Sequence, residues 1–377
     1  EDVVEINCHS GIAPLKKILD LVLINGARLA QPGEFTKRAF LNGKMDLSQA
    51  EAVADIIKAE TDISCKVAAR QLMGVFSEEI SGLRDLIINI LSSIELTIDF
   101  SAEDVEFPDA GGIIQRIDDT YASVKEILAT SGKGMLLREG ADVVICGKPN
   151  VGKSSLMNAL LQHDRVIVTP IAGTTRDVIE ETINISGVKV RLSDTAGIIE
   201  TRDRVEIEGI KRSREKLKSA DLAVFMLDSS QDLSEQDEGI FETIKGKELV
   251  VVMNKIDLPC RMDATDLKKR FGEEILKVSA LKKEGICDVE DAVARKLFKG
   301  DVNIPEGALL TNARHKVLVE NAAGALARAL KGAKEKYNGE LLASDLKIAI
   351  HQLGLVIGES IEDDVLDRIF SEFCIGK

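Results

Sequence analysis

The sequence predicts a multidomain chain in which an α/β domain with a doubly wound sheet is inserted into an α-helical bundle. Three observations carry this reading. Between about 139 and 307, β-rich apolar runs alternate with helical patterns, as in a parallel sheet wrapped by helices. On both sides of that stretch, apolar residues recur at three- and four-residue steps, as on one face of a helix. Gly147-Lys148-Pro149-Asn150-Val151-Gly152-Lys153-Ser154 fits G-x-x-x-x-G-K-[ST], with an apolar run before it and a helical pattern after it. That strand–loop–helix context is what a phosphate-binding P-loop requires.

The helical flanks come first and last. Residues 1–72 form a first unit. It starts with a strand at Val3-Val4-Glu5-Ile6, and Gly11-Ile12-Ala13-Pro14 then opens a helix through Leu23. Ala30-Gln31-Pro32-Gly33-Glu34-Phe35 reads as a turn, and Glu34 by itself reads as a solvated turn carboxylate. Asp46 is expected to cap a helix from near Leu47, with Ala50, Val53, Ala54 and Ile57 on one face. The bundle is expected from 73–138 and 308–377. Leu83, Ile87, Ile90, Ile94 and Ile98 make one stripe, and Ile114, Ile117, Tyr121, Val124 and Leu128 make a second after the break at Phe107-Pro108. Leu318, Ala322, Ala325 and Ala329 make a third, and Leu342, Leu346, Ile350 and Leu353 a fourth. Termini that lie close together tolerate an inserted domain, here 139–307.

Composition narrows the class. The 377 residues suit two or three domains, and 45% apolar content is enough for real cores. A net charge of −14 does not announce a nucleic-acid binder, although a local basic patch can still serve RNA. The six Cys show no paired metal spacing, which suits a reducing, cytosolic-type compartment. No run is long and apolar enough to span a membrane, and no signal peptide is visible. The chain starts at Glu1 within a strand-like run, which reads as a fragment whose N-terminus lies upstream.

Within 139–307 the strands are expected at 143–146, 188–192, 222–227, 249–253 and 275–278. Ligands of such sheets bind at the carboxyl ends of the strands, and the polar motifs sit there. Asn150, Val151, Gly152, Lys153, Ser154 and Ser155 form the phosphate cradle. Its amides and helix N-terminus hold negative charge. Lys153 is expected to reach the β- and γ-phosphates and the Ser154 hydroxyl to bind Mg²⁺. Asp194-Thr195-Ala196-Gly197 follows a strand, where the carboxylate can hold Mg²⁺ through water and the Gly amide can meet a γ-phosphate. Asn254-Lys255-Ile256-Asp257 follows the next but one. Asp257 can accept hydrogen bonds from guanine N1–H and the 2-amino group, a donor pair adenine lacks, so the motif selects GTP. Ser279-Ala280-Leu281 resembles a base-supporting loop. Thr174 and Thr175 lie where a switch loop should bring a Thr to Mg²⁺, with Arg176 and Asp177 beside them. Ile198 occupies the position where many small GTPases place a water-orienting Gln. Glu206 and Glu208 are both candidates for that task. The Asn150 amide oxygen can hold a monovalent cation beside the phosphates, supplying charge where an arginine finger otherwise acts.

The chain resembles the MnmE (TrmE) family of tRNA modification GTPases over its whole length. The matching pieces include Cys8-His9-Ser10-Gly11, Pro32-Gly33-Glu34-Phe35, Arg38-Ala39-Phe40-Leu41-Asn42, Asp46-Leu47-Ser48-Gln49-Ala50-Glu51-Ala52 and Leu137-Arg138-Glu139-Gly140. They continue with Gly173-Thr174-Thr175-Arg176-Asp177 and the specific tail Phe373-Cys374-Ile375-Gly376-Lys377. The resemblance implies an α+β folate-binding and dimerising N-terminal domain, a helical domain from two segments, and an inserted G-domain. It implies a cytoplasmic homodimer acting with an FAD-dependent MnmG-type partner. The pair would add an aminomethyl-type group, as in carboxymethylaminomethyl addition, to C5 of the wobble uridine of certain tRNAs. The one-carbon donor would be a reduced folate of the 5-formyl- or methylene-tetrahydrofolate kind.

Carried over by motif, K⁺ would be held by Asn150, Thr169, Ile171 and Thr174, and Mg²⁺ by Ser154 and Thr175. G-domain dimerisation in K⁺ would trigger hydrolysis. Glu206 aligns with the family's water-orienting glutamate, Glu34 with a folate-contacting glutamate and Lys377 with a tail lysine at that pocket. Cys374 matches the tail cysteine of the modification step. The chain begins well inside the family's N-terminal domain, and Ile199 stands where some members carry Arg. The alternative is a GTP-dependent ribosome-assembly factor of the Era or Der type. Era carries an RNA-binding domain after its G-domain and Der carries two G-domains. Here a single G-domain lies between helical arms.

Overall fold

The computed structural model describes residues 2–9, 11–99, 110–163, 180–194, 217, 219–300, 307–335 and 339–376. It opens with helices α1 (Ile12–Ile24), α2 (Glu34–Leu41), α3 (Leu47–Lys58) and α4 (Asp62–Leu72). The strand expected at Val3-Val4-Glu5-Ile6 is absent. Residues 2–9 are irregular, and Val3 and Val4 stand exposed. An alternating run becomes a strand only beside a hydrogen-bonding neighbour, and among the described residues none pairs with it. α3 begins where its cap predicts. Asp46 Oδ1 accepts from the Gln49 amide at 3.0 Å while Gln49 Oε1 accepts from the Asp46 amide at 2.9 Å. These bonds satisfy two donors at the helix start.

Four long helices make the bundle: α5 (Val75–Asp99), α6 (Ala110–Ala129), α12 (Ala313–Lys334) and α13 (Gly339–Ile357). Their expected stripes meet in one core, with Ile87, Ile90, Ile117, Val124, Ala322, Ala325, Leu346 and Leu353 all buried. The alanines of α12 let α13 approach closely, and among the described elements those two helices pack most extensively. The terminal helix α14 (Asp363–Ser371) returns to the start of the chain, where Leu366, Phe370 and Phe373 pack on Leu47, Ala50 and Ala54.

Between the two halves of the bundle, helix α7 (Ser131–Glu139) leads into a six-stranded sheet. Its strands are β1 (Ala141–Cys146), β2 (Glu180–Ile185), β3 (Val188–Asp194), β4 (Leu222–Asp228), β5 (Glu248–Asn254) and β6 (Ile275–Lys277), in the order β2-β3-β1-β4-β5-β6. The sheet is mixed rather than wholly parallel, because β2 runs antiparallel to β3 at one edge. The sequence reading missed β2. Its Glu-Glu-Thr start masks the alternating Ile183 and Ile185, which are buried. Helices α8 (Lys153–His163) and α11 (Ile286–Phe298) cover one face, and α9 (Glu235–Ile244) and α10 (Ala264–Phe271) the other. β4 is buried at every residue, since both of its faces meet helices.

The sheet joins the helices through a small core of Val67, Leu137 and Val188, with Ile63, Phe298 and Leu309 packed against it. Two ion pairs flank this joint, Lys189 to Glu60 at 2.7 Å and Arg138 to Asp55 at 2.8 Å. The β2–β3 hairpin is therefore the part of the sheet that touches α4.

Candidate nucleotide-binding site

The chain leaves β1 at its carboxyl end, turns through 147–152 and enters α8. Two glycines make that turn possible. A Cβ on Gly147 (φ 153°) would lie 2.5 Å from the Met226 carbonyl oxygen, and one on Gly152 (φ 102°) 2.3 Å from Asn254 Nδ2. The backbone thus presses against its neighbours and leaves its outer side to a phosphate. Asn150, at the crest, is exposed and left-handed at φ 63°. Lys153 Nζ donates to the carbonyls of Gly147 at 3.1 Å and Lys148 at 2.9 Å, so its ammonium lies inside the loop. Ser154 and Ser155 occupy the exposed first turn of α8. Its amides point out of the helix end, and the helix dipole favours an anion there. Gly152→Ala is expected to weaken GTP binding by about tenfold or more, since an ordinary Cβ cannot share space with Asn254. Titration with a fluorescent GTP analogue reads this, and unchanged affinity would contradict the cradle.

The base side is built by β5 and β6. Asn254 is buried and acts as a strut. Its Nδ2 donates to the Val151 carbonyl at 2.7 Å, and its Oδ1 accepts from the Ala280 amide at 3.0 Å. One side chain thereby ties the phosphate loop to the loop after β6. Asp257 accepts from the Ser279 hydroxyl at 2.6 Å. That bond is the main reason its carboxyl is held below the usual carboxylate range. An ionised Asp257 presents acceptors only, the character that guanine's N1–H and amino group require. Lys255, left-handed at φ 66°, reaches Asp228 Oδ2 at 2.6 Å. Burial by itself raises the Asp228 carboxyl, but Lys255 and Ser230 outweigh it and hold the group low. Ser229 donates from its hydroxyl to the Lys255 carbonyl at 2.9 Å and from its amide to the Asn254 carbonyl at 2.9 Å. Asp228 and Ser229 were absent from the sequence reading. The available signal was a carboxylate closing the apolar run 222–227, at the same sheet edge as the other motifs.

Asp194 ends β3, in register with Ile145 of β1, which places it at the sheet edge that carries the phosphate loop. Thr169, Ile171, Thr174, Thr175, Arg176, Asp177, Thr195, Ala196, Gly197, Ile198, Ile199, Glu206, Glu208 and Lys377 lie outside the described residues. Among the described residues, no cluster of three or more His, Cys, Asp or Glu is placed to hold a metal. No described helix is long and apolar enough to cross a membrane.

A second cluster lies at the other end of the chain. The tail pairs with the turn before α2 through a bridge between Pro32 and Ile375, and the Gly33 amide donates to the Cys374 carbonyl at 3.4 Å. Glu34 sits on that turn. Arg28 grips its carboxylate at 2.5 and 2.8 Å, and the Gln31 amide adds a bond at 2.9 Å. The Arg28 fork, followed by that amide, holds the Glu34 carboxyl down to about 2. The tertiary structure thus brings the turn of Glu34 and the backbone of Cys374 together. The Cys374 side chain is exposed.

Two family models match the chain. One, described as the GTP-binding protein TrmE N-terminus, covers residues 1–44, and the other, the MnmE helical domain, covers residues 47–374. The chain belongs to the MnmE family of tRNA modification GTPases. The MnmE protein of Thermoanaerobacter sp. strain X514 is 44% identical over 378 residues, a match that spans 100% of this chain and 82% of that protein. The MnmE of Clostridioides difficile is 45% identical over the same shares of each chain. A solved structure of Era from Aquifex aeolicus is 24% identical, covers 62% of this chain and 99% of its own, and has a TM-score of 0.36. The MnmE helical match runs across the sheet as well as the helices, in keeping with a G-domain carried inside the helical domain.

Proposed function

We propose that this MnmE-family chain is a GTP hydrolase acting in tRNA modification, with its G-domain at 139–307, its helical domain at 73–138 and 308–377, and an N-terminal unit at 1–72. The observation that supports it most is the coupling of the phosphate loop to the base loops through Asn254, with Asp257 held ionised by Ser279. A nucleotide triphosphate would lie across that edge, its phosphates on the amides of 150–155 and its guanine on Asp257. Ser154, with Thr175, would hold Mg²⁺, which neutralises phosphate charge. Lys153 would turn from its carbonyl partners to the phosphates. Glu206 would orient the attacking water, since Ile198 has no group to do so.

The finer reading follows the same family. Asn150, with Thr169, Ile171 and Thr174, would hold K⁺, and two G-domains would pair across it to trigger hydrolysis. The exposed, left-handed Asn150 suits this role, because it stands at the solvent-facing crest of the cradle. The homodimer would act in the cytoplasm with an FAD-dependent MnmG-type partner on C5 of a tRNA wobble uridine. Glu34 and Lys377 would hold a reduced folate, with Cys374 beside them for the modification step.

The test is GTP turnover at equal ionic strength in KCl and in NaCl, with Asn150→Ala alongside. Turnover is expected to be about tenfold or more faster in KCl, an advantage the variant loses. Equal rates in the two salts would remove the K⁺ mechanism. Absent turnover in both would remove the hydrolase reading.

A further inference from the structure

The phosphate loop carries a second lysine, Lys148, whose side chain runs away from the phosphate side. Lys148 is 8% exposed, and its ammonium lies 2.8 Å from Asp237 Oδ2 and 3.1 Å from Ser234 Oγ. Asp237 is completely buried. Its Oδ2 also accepts from the Ser234 amide at 2.9 Å and hydroxyl at 2.8 Å, which fixes the first turn of α9. The other oxygen, Oδ1, has no hydrogen-bond partner. A buried ion pair with a spare oxygen is an expensive way to stabilise a fold, since desolvation offsets much of the attraction. Here it joins two specific places, the start of α9 and the base of the phosphate loop.

The backbone at Lys148 shows what that joint fixes. The Lys148 carbonyl is one of the two that receive Lys153 Nζ, at 2.9 Å. Lys148 is therefore held by α9 through its side chain and by Lys153 through its carbonyl. We propose that Lys148, through its buried pair with Asp237 and Ser234, is a positioning residue that holds the phosphate loop at the spacing a nucleotide β-phosphate requires. The proposal rests on the nucleotide-site reading above. The Lys148 ammonium is engaged by Asp237 and Ser234. The residue acts through the loop backbone and the placement of Lys153.

The experiment compares GDP with GMP on the full chain by titration calorimetry. GMP lacks the β-phosphate, so a loosened loop costs GDP and spares GMP. Three variants are used: K148R, D237N and the double K148M/D237N, which removes both charges while the amide still caps Ser234. The double variant is expected to weaken GDP about tenfold and leave GMP within about twofold. K148R is expected to keep the wild-type ratio, because a guanidinium can bond both Asp237 oxygens, including the one now unpartnered. An unchanged GDP-to-GMP ratio in the folded double variant overturns the proposal. Parallel weakening of both nucleotides also overturns it, since that marks a general loss of stability. If the double variant does not fold, D237N carries the test, and an unchanged ratio there is equally decisive. A wild-type chain that binds no guanine nucleotide overturns the underlying reading, and the proposal with it.

Discussion

Asp257→Ala is expected to lower GTP affinity by about a thousandfold while leaving the fold intact. The carboxylate offers two acceptors to two donors of guanine, and hydrogen bonds to a charged group are worth about 1.5–3 kcal/mol each. Two of them span roughly a hundredfold to ten-thousandfold in affinity. The loss is specific to guanine, because adenine presents no matching donor pair. Asp257 lies at the site rather than in the core, and among the described residues its side chain is bonded by the Ser279 hydroxyl, which also accepts from the Lys282 amide at 3.2 Å. Ser279 therefore keeps a partner when the carboxylate goes. Competition of GTP and ATP against a fluorescent GTP analogue measures both halves of the expectation. A variant that still binds GTP within about threefold of the parent would show that the base is read elsewhere.

Glu51→Ala is expected to cost about 3–5 kcal/mol of stability. Glu51 is buried where α3 meets the bundle. Arg314 bonds both of its oxygens, at 2.9 and 3.0 Å, and His315 Nε2 lies 2.7 Å from one of them. Arg314 also donates to the carbonyls of Leu355 and Val356, so one guanidinium binds α3, α12 and the end of α13. Burial by itself would raise the Glu51 carboxyl, yet His315 and Arg314 together hold it down to about 2. Removal of the carboxylate leaves the partly buried Arg314 guanidinium without its charge partner. Urea unfolding of the variant reads the loss, and a change below about 1 kcal/mol would mean that water or a rearranged partner replaces the carboxylate.

The same cluster makes stability depend on pH. Burial lowers the pKa of His315 below its ordinary 6.5, although Glu51 opposes this. The ring is stacked on Phe76 at 5.2 Å, and its Nδ1 has no partner. Nε2 lies 2.7 Å from Glu51 Oε2, which favours a proton there, and 2.9 Å from Arg314 Nη2, which opposes it. A second proton on Nδ1 would be buried without an acceptor. The unfolded chain therefore takes that proton more readily than the folded one. Stability from His315 is complete above about pH 6.5 and declines as the pH falls through its lower folded value.

The sequence by itself determined the chemistry that local strings can hold. The loop 147–154, the Asn254-Lys255-Ile256-Asp257 motif and Ser279-Ala280 each sit at a strand's end, where their order along the chain already reads as a nucleotide site. The helical stripes and the Asp46 cap were legible for the same reason, since periodicity and capping act over three or four residues. What only the tertiary structure decided involves partners far apart in the chain. Asn254 turns out to be a strut between Val151 and Ala280. Lys148 finds Asp237, Glu51 finds Arg314, and the tail finds the turn of Glu34. β2 escaped the reading because an edge strand is defined by its neighbour, and Val3-Val4-Glu5-Ile6 misled it because an alternating pattern without such a neighbour is not a strand. Local propensity is written in consecutive residues. Long-range pairing is written in which surfaces the folded chain brings together, and no short window of sequence contains that.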